Sequence, residues 1–464
     1  YTYIKENKIN FNIINVESKK NYSFLRLTLD EENDYKLLKK VQILFKSNIY
    51  FTYEDIIKLY MKNKKVFKLN SHIKRDEGSI INNNQKFWKR AKNSIPEGNM
   101  FLSKRPNFYL TNKWPIYFNK AKGCKIWDID NKSYVDFSLM GVGTNILGYA
   151  NNTIDKQIKK VIEDGNICTL NNKEDVYLAE KLIDLHPWSE ACKFARTGGE
   201  ANSIAIRLAR ASTGNDKILA CGYHGWHDWY LAANLSNKNN LNNHLSKNLK
   251  VAGVPKKLKD SILTFEFNDL KKFKNLVNKN NDIAAVIMEV KRDIDPNINF
   301  LKEIRKITKK KGIVLIFDEC TSGFRENFGG LHLKYKINPD MAMFGKALGN
   351  GYPITAILGI KDVMNSIGKT FISSTYWTDR IGPTAGIATL NEMERLESWK
   401  LITNKGNYLR SNLSKITKMN GFSIKFSGLK SIIKFDFDKN IDKDFINHIS
   451  NLFLKRGILS KNSI

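Results

Sequence analysis

The chain has 464 residues, enough for two or three domains, and 42% of them are hydrophobic, an ordinary share for a globular protein. Its 76 Lys and Arg outnumber 46 Asp and Glu, giving a formal charge of +30. The excess is mostly Lys spread beside abundant Asn and Ile, so codon bias explains it better than nucleic-acid binding, for which no motif is present.

The chain opens at Tyr1 in mid-pattern and without Met, so a fragment is expected. Tyr1 to Asn10 have no apolar core, which argues against a signal peptide. No later run approaches the ~18 to 20 apolar residues of a membrane span. Residues 1 to about 80 hold short strand-like and helix-like pieces, and Ile81-Asn82-Asn83-Asn84-Gln85 reads as a linker. From Phe87 onward the pattern is longer and more regular. Cys192 to Arg196 is a short strand, and Glu200 to Ala211 a helix with Ala201, Ile204, Ala205 and Leu208 on one face. Lys217 to Gly222 is a strand, and Ile283 to Val290 is a β-branched run typical of a buried parallel strand. A helix over Phe300 to Lys311, with its last cations suited to the dipole, leads into a strand over Gly312 to Phe317. Met341 to Phe344 and Ile354 to Gly359 complete the series. Alternation of this kind implies an α/β fold with a mainly parallel sheet, whose ligands bind at the C-terminal ends of the strands.

Chemistry is therefore expected just after those strands. Asp318 follows one strand, and Lys346, flanked by Gly345 and Ala347, follows another. A Lys in such a place can bind phosphate, act as a Schiff-base nucleophile or be a surface charge, and no Walker pattern surrounds this one. With Asp318 at a neighbouring strand end, the pair suits pyridoxal 5'-phosphate: the Lys links to the cofactor and the Asp keeps the pyridine nitrogen protonated. Such a charge pair at about 4 Å is worth about 4 kcal/mol at an effective dielectric near 20, about three pK units. Thr197-Gly198-Gly199 joins a strand to a helix, where backbone N–H groups can meet a phosphate, although the same turn also serves any plain strand-to-helix connection. In Tyr223-His224-Gly225-Trp226-His227-Asp228 an aromatic platform is favoured over a metal site, because no fourth ligand is near. The five cysteines, Cys124, Cys168, Cys192, Cys221 and Cys320, are odd in number and widely spaced, which fits a reducing cytoplasm rather than disulfides or zinc.

These motifs, with Gly123 to Asp130, Gly199-Glu200-Ala201, Asp318-Glu319, Thr321-Ser322-Gly323-Phe324-Arg325 and Gly345-Lys346 in order, resemble class III aminotransferases, most closely the glutamate-1-semialdehyde 2,1-aminomutases. The resemblance runs from about residue 95 to the end. It implies a fold-type I architecture with a smaller α+β domain, usually a homodimer with active sites at the subunit interface. It implies Lys346 and Asp318 as the catalytic pair, Tyr223 over the cofactor ring, Gly198 and Gly199 at the phosphate, Thr375 reaching a neighbour's phosphate, and Glu289 near the cofactor. The domains expected are an N-terminal piece over 1–80, an aminotransferase N-terminal segment over 81–150, a large domain over 151–390 and a partial small domain over 391–464, its last helices missing. An amine donor and a carbonyl acceptor are the implied substrates.

Departures from the family cluster on the substrate side. The phosphate turn lacks one hydroxyl, and Arg105 is one position out of register with the family's carboxylate-binding Arg. Val290-Lys291 follows Glu289 where the family has Pro-Val, and Tyr376-Trp377-Thr378-Asp379-Arg380 is remodelled, with Trp377 able to stack on a sugar or nucleotide ring. Residues 1 to about 78, with Leu25-Arg26-Leu27-Thr28-Leu29-Asp30, resemble the tail of a cytidylyltransferase of the spore-coat polysaccharide type. Amino transfer to an intermediate of surface polysaccharide synthesis is thus expected. Aminomutase chemistry is the alternative within enzymes. A basic nucleic-acid-binding or inactive scaffold protein is the alternative of another class.

Overall fold

The computed structural model describes residues 20–29, 31–46, 48–73, 83–110, 113–138, 140–244, 249–437 and 442–460. The chain divides into two compact units, Tyr1–Met100 and Phe101–Ile464.

The described part of the first unit is built on helices Glu32–Leu44, Tyr53–Lys62 and Asn83–Ser94. Leu37 and Val41, one turn apart, pack with Leu25 and Phe67 into a small core of their own. Asp34 is fully buried, and Arg26 reaches it through two parallel bonds, Nε to Oδ1 and Nη2 to Oδ2, each 2.9 Å. Asn70 Nδ2 adds a bond of 2.8 Å. A carboxylate buried without such partners would cost several kcal/mol, so Arg26 and Asn70 are conditions of this packing. The expected linker needs correction. Ile81 and Asn82 lie outside the described residues, whereas Asn83, Asn84 and Gln85 open the last helix. Polar composition hid that start, since the apolar residues that anchor the helix, such as Trp88 against Gly98, come a turn later.

In the second unit, three strands β1 (Phe118–Lys122), β2 (Lys125–Asp128) and β3 (Ser133–Asp136) precede seven that form the main sheet. These are β4 (Ala191–Ala195), β5 (Lys217–Cys221), β6 (Ile262–Thr264), β7 (Ile283–Glu289), β8 (Val314–Asp318), β9 (Met341–Phe344) and β10 (Thr355–Gly359). Their order is β4-β10-β9-β8-β7-β5-β6, with β10 antiparallel to both neighbours and the other pairs parallel. The sheet is buried on both faces, and its side chains alternate between two cores. Val286, Met288, Leu315 and Phe317 join one, while Ile287, Val314, Ile316 and Met343 join the other. Burial on both faces is why these strands read as unbroken apolar runs. The Gly198–Thr213 helix covers the second face with Ala201, Ile204, Ala205 and Leu208, and the Ile298–Lys311 helix covers the first with Phe300, Leu301 and Ile304. Strands β11 (Ile424–Ser427) and β12 (Lys434–Phe437) form a hairpin, and β13 (Ile458–Leu459) pairs in parallel with β3. No helix among the described residues is long and apolar enough to cross a membrane.

Candidate active site

Strand register brings the site together. Glu289 and Asp318 are the last residues of β7 and β8 and pair directly, and Asp318 pairs in turn with Met343 of β9, three residues before Lys346. Two carboxylates and an amine thus meet at one edge of the sheet, the edge where parallel strands bind ligands.

Asp318 is 4% exposed. Its Oδ2 accepts from Asn202 Nδ2 at 3.0 Å and lies 2.9 Å from His224 Nδ1, and its Oδ1 accepts from the Cys320 N–H at 3.1 Å. Burial pushes this carboxyl upward, but the bonds from His224, Asn202 and Cys320 outweigh it and hold the group below the usual carboxylate range. The result is a buried, ionised acid aimed into the cleft.

Lys346 donates from Nζ to Thr321 Oγ1 at 2.8 Å. Burial first, and then the nearby Arg292 guanidinium, bring its amine below the ordinary lysine range. Its backbone has φ +43°, a left-handed conformation that L side chains rarely adopt and that costs roughly 1 kcal/mol. Asn350 fixes the turn after it, accepting from Leu147 N at 2.8 Å and donating to Gly148 O at 3.1 Å. These bonds hold the turn, and with it the Lys346 backbone, in place.

Tyr223 follows β5, and its N–H donates to Glu289 Oε2 at 3.1 Å. Its ring stands edge-on to Tyr230, with centroids 5.9 Å apart, and burial raises its phenol. Glu289, 4% exposed, also accepts from Arg292 Nη1 at 2.8 Å, and the Arg292 guanidinium carbon lies 5.7 Å from the Tyr223 ring centroid. Gly222 makes this approach possible: at φ +114°, a Cβ there would stand 2.7 Å from Glu289 Oε2.

Gly198 and Gly199 open the Gly198–Thr213 helix, and no acceptor within the chain is recorded for either N–H among the described residues. Their missing side chains clear the space around them. A Cβ at Gly199 would lie 3.0 Å from His227 Cε1, and one at Gly198 would lie 3.6 Å from Cys320 Sγ. Thr197, by contrast, is spent on the helix. Its hydroxyl accepts from Glu200 N at 3.3 Å, and Glu200 Oε2 accepts from Thr197 N at 2.8 Å, a reciprocal cap.

Several expected residues stand apart from this cluster. Trp377 points its indole Nε1 at Glu200 Oε1, 3.4 Å away, with Lys193 over the ring, and not at Lys346 or Asp318. Its segment is pinned by Arg196 to Asp379 and by Arg380 to Glu174. Thr375 is exposed. Arg105 is half-buried between the short turns Leu102–Lys104 and Pro106–Phe108, so its substrate role rests on the resemblance alone. His224 and His227 have different partners, Asp318 and Ser203, and the described residues hold no cluster of three metal-ligating side chains. Sequence reasoning missed Asn202, Thr321 and Arg292. Each sits three residues along the chain from a residue it did single out: Gly199, Asp318 and Glu289.

The residues fit pyridoxal phosphate. Two unpaired helix N–H groups suit an anion, Tyr223 offers a flat face, Asp318 is kept ionised, and Lys346 is a desolvated amine. Comparison with known proteins agrees. The class III aminotransferase family model matches residues 110–463. The 3-aminobutyryl-CoA aminotransferase of Cloacimonas acidaminovorans is 32% identical over 353 residues, covering 74% of this chain and 80% of that one. A glutamate-1-semialdehyde 2,1-aminomutase of Methanobrevibacter smithii is 34% identical over 335 residues, covering 70% and 77%. The 2'-deamino-2'-hydroxyneamine transaminase of Streptomyces kanamyceticus is 27% identical over 346 residues, covering 74% and 83%. Among solved structures, the PLP internal aldimine form of Sphingopyxis sp. MTA144 FumI superposes with a TM-score of 0.74 at 24% identity, over 82% of this chain and 89% of that one.

Proposed function

The chain belongs to the class III aminotransferases, and from that premise we propose that it moves an amino group from an amino acid to a carbonyl-bearing intermediate of surface polysaccharide synthesis. Dependence on pyridoxal phosphate and an amino-transfer reaction come with the family and its fold. The cofactor, when bound, supplies an electron sink and a carbon that exchanges amines. The protein's own groups do the rest. Gly198 and Gly199 bind the phosphate through their N–H groups, and Tyr223 packs against the ring. Asp318, held ionised by His224 and Asn202, keeps a proton on the ring nitrogen. Lys346 Nζ would carry the covalent link to the cofactor and, when free, would serve as the base that takes the proton from the substrate carbon and the acid that delivers it to the cofactor carbon. Thr321 Oγ1 orients that amine. Thr375 is exposed on its turn, and the resemblance to the family assigns it to the phosphate of a second copy, which would make the active form a homodimer.

The acceptor is the finer part of the proposal, and one observation carries it. The Tyr376–Arg380 segment departs from the family in sequence, while the strand-end residues Asp318 and Lys346 do not, and the Arg196–Asp379 and Arg380–Glu174 pairs hold it in place; we read this as a change on the substrate side alone. Two further points support it. The Streptomyces kanamyceticus relative acts, by its name, on 2'-deamino-2'-hydroxyneamine, and residues 1 to about 78 resemble a cytidylyltransferase tail. The test is a coupled assay of the full-length protein with nucleotide-linked keto-sugars and with glutamate-1-semialdehyde. We expect amination of a keto-sugar and slow turnover of the semialdehyde. Efficient formation of 5-aminolevulinate with no keto-sugar product would replace this reading with the aminomutase.

A further inference from the structure

Of Arg196, Arg325 and Arg292, the first two each spend at least two guanidinium nitrogens inside the protein. Arg196 is paired with Asp379 and bonds the Trp377 carbonyl at 2.9 Å. Arg325, 4% exposed, donates to the Thr321 and Gly143 carbonyls, and burial lowers it to about 10. Arg292 differs. It spends only Nη1 inside the protein, on Glu289 Oε2. Its other N–H groups have no recorded hydrogen bond among the described residues, and its unbonded nitrogens are not sealed from solvent. Its side chain keeps 24% of its surface open. Lys346 is within its field, since the guanidinium helps depress the Lys346 amine. Asp318 lies within its field too, and the surrounding carboxylates keep the guanidinium charged against the cost of its burial.

The position is therefore a fixed cation with spare donors, anchored on Glu289, which is register-paired with Asp318 at the strand ends that Lys346 follows. Glu289 anchors one edge of the planar fork, and the Tyr223 ring lies along it. A planar guanidinium with free N–H groups is matched by a carboxylate, which can accept two parallel bonds. The keto group and hydroxyls of a sugar ring give such a fork no paired anionic oxygens to hold, whereas the carboxylate of an amino acid donor does. A carboxylate held there would also fix the donor's α-carbon relative to Lys346 Nζ, the orientation that proton transfer needs.

We propose that Arg292 binds the carboxylate of the amino donor, which makes that donor an amino acid. The inference rests on Lys346 carrying the cofactor. The experiment uses the full-length protein loaded with pyridoxal phosphate, as wild type, Arg292→Gln and Arg292→Lys. Single-turnover rates are followed with L-glutamate, with L-alanine and with benzylamine, which lacks a carboxylate. In Arg292→Gln the ratio of the amino acid rate to the benzylamine rate should fall about a hundredfold, and Arg292→Lys should recover part of it. Calorimetric binding of glutarate to the borohydride-reduced protein should weaken in parallel. A purely structural role would lower all rates together and leave the ratio unchanged, which would overturn the proposal. So would unaltered glutarate binding, or a wild type that takes benzylamine as readily as either amino acid. Failure of the cofactor reading shows separately, as a wild type with no borohydride-stable adduct on Lys346.

Discussion

At the scale of single residues, the site depends on keeping Asp318 charged in a buried place. Three hydrogen-bond donors achieve this, and two of them, His224 and Asn202, come from other elements. Asp318→Asn should still load cofactor but lose at least about a hundredfold in turnover, about 2.7 kcal/mol, because an amide cannot hold a proton on the ring nitrogen. Steady-state kinetics of the purified variant check this, and near-normal turnover would assign the task to another group. Because its folded pKa is depressed, Asp318 adds stability above the unfolded carboxylate value of about 3.9, and that stability is lost as pH falls through the lower folded value. Lys346 titrates in the opposite sense, since burial and Arg292 favour its neutral form. The rate of cofactor capture by the apo chain should therefore rise with pH around a midpoint below the free-lysine value of about 10.4. A midpoint at or above that value would mean that the desolvated amine is not the attacking group. Asp318 and Lys346 were legible in the sequence because strand ends predict where ligands bind. Arg292 was not, because a charged residue three places past a strand usually faces water, and only the fold turns it back over Tyr223.

At the scale of elements, the Gly198–Thr213 helix couples stability to binding. Its existence was legible from the spacing of Ala201, Ile204, Ala205 and Leu208, but the division of labour at its start was not. The sequence offered Thr197 as part of a phosphate turn. In the structure its hydroxyl caps the helix through Glu200, which leaves the glycine N–H groups to the ligand. Thr197→Ala should thus cost about 1 kcal/mol of stability, read as a lower Tm, while cofactor affinity stays nearly unchanged. A large loss of affinity with an unchanged Tm would return the hydroxyl to the phosphate. Of the parallel strands, β5, β7, β8 and β9 were recognisable as apolar runs, with ends placed to within two residues, whereas β6, three residues long, was missed. The antiparallel direction of β10 was not, because a run buried on both faces reads the same either way. Likewise, the helix starting at Asn83 was hidden by its polar first residues.

At the scale of the whole molecule, the formal charge of +30 is mostly Lys spread along the chain, and the site's chemistry is carried by a few partly or fully buried groups. Under the proposal that Thr375 serves the phosphate of a second copy, the protein is a dimer in solution. Light scattering of the loaded protein should give twice the chain mass, and Thr375→Ala should weaken cofactor retention without dissociating the dimer; a stable, active monomer would contradict this. The central claim is that one lysine, Lys346, carries the cofactor, with the rest of the fold arranged around it. Its most direct test is borohydride reduction of the full-length, cofactor-loaded protein, followed by peptide mass spectrometry. We expect a single pyridoxyl adduct, on Lys346. An adduct on another lysine, or none at all, would contradict the account.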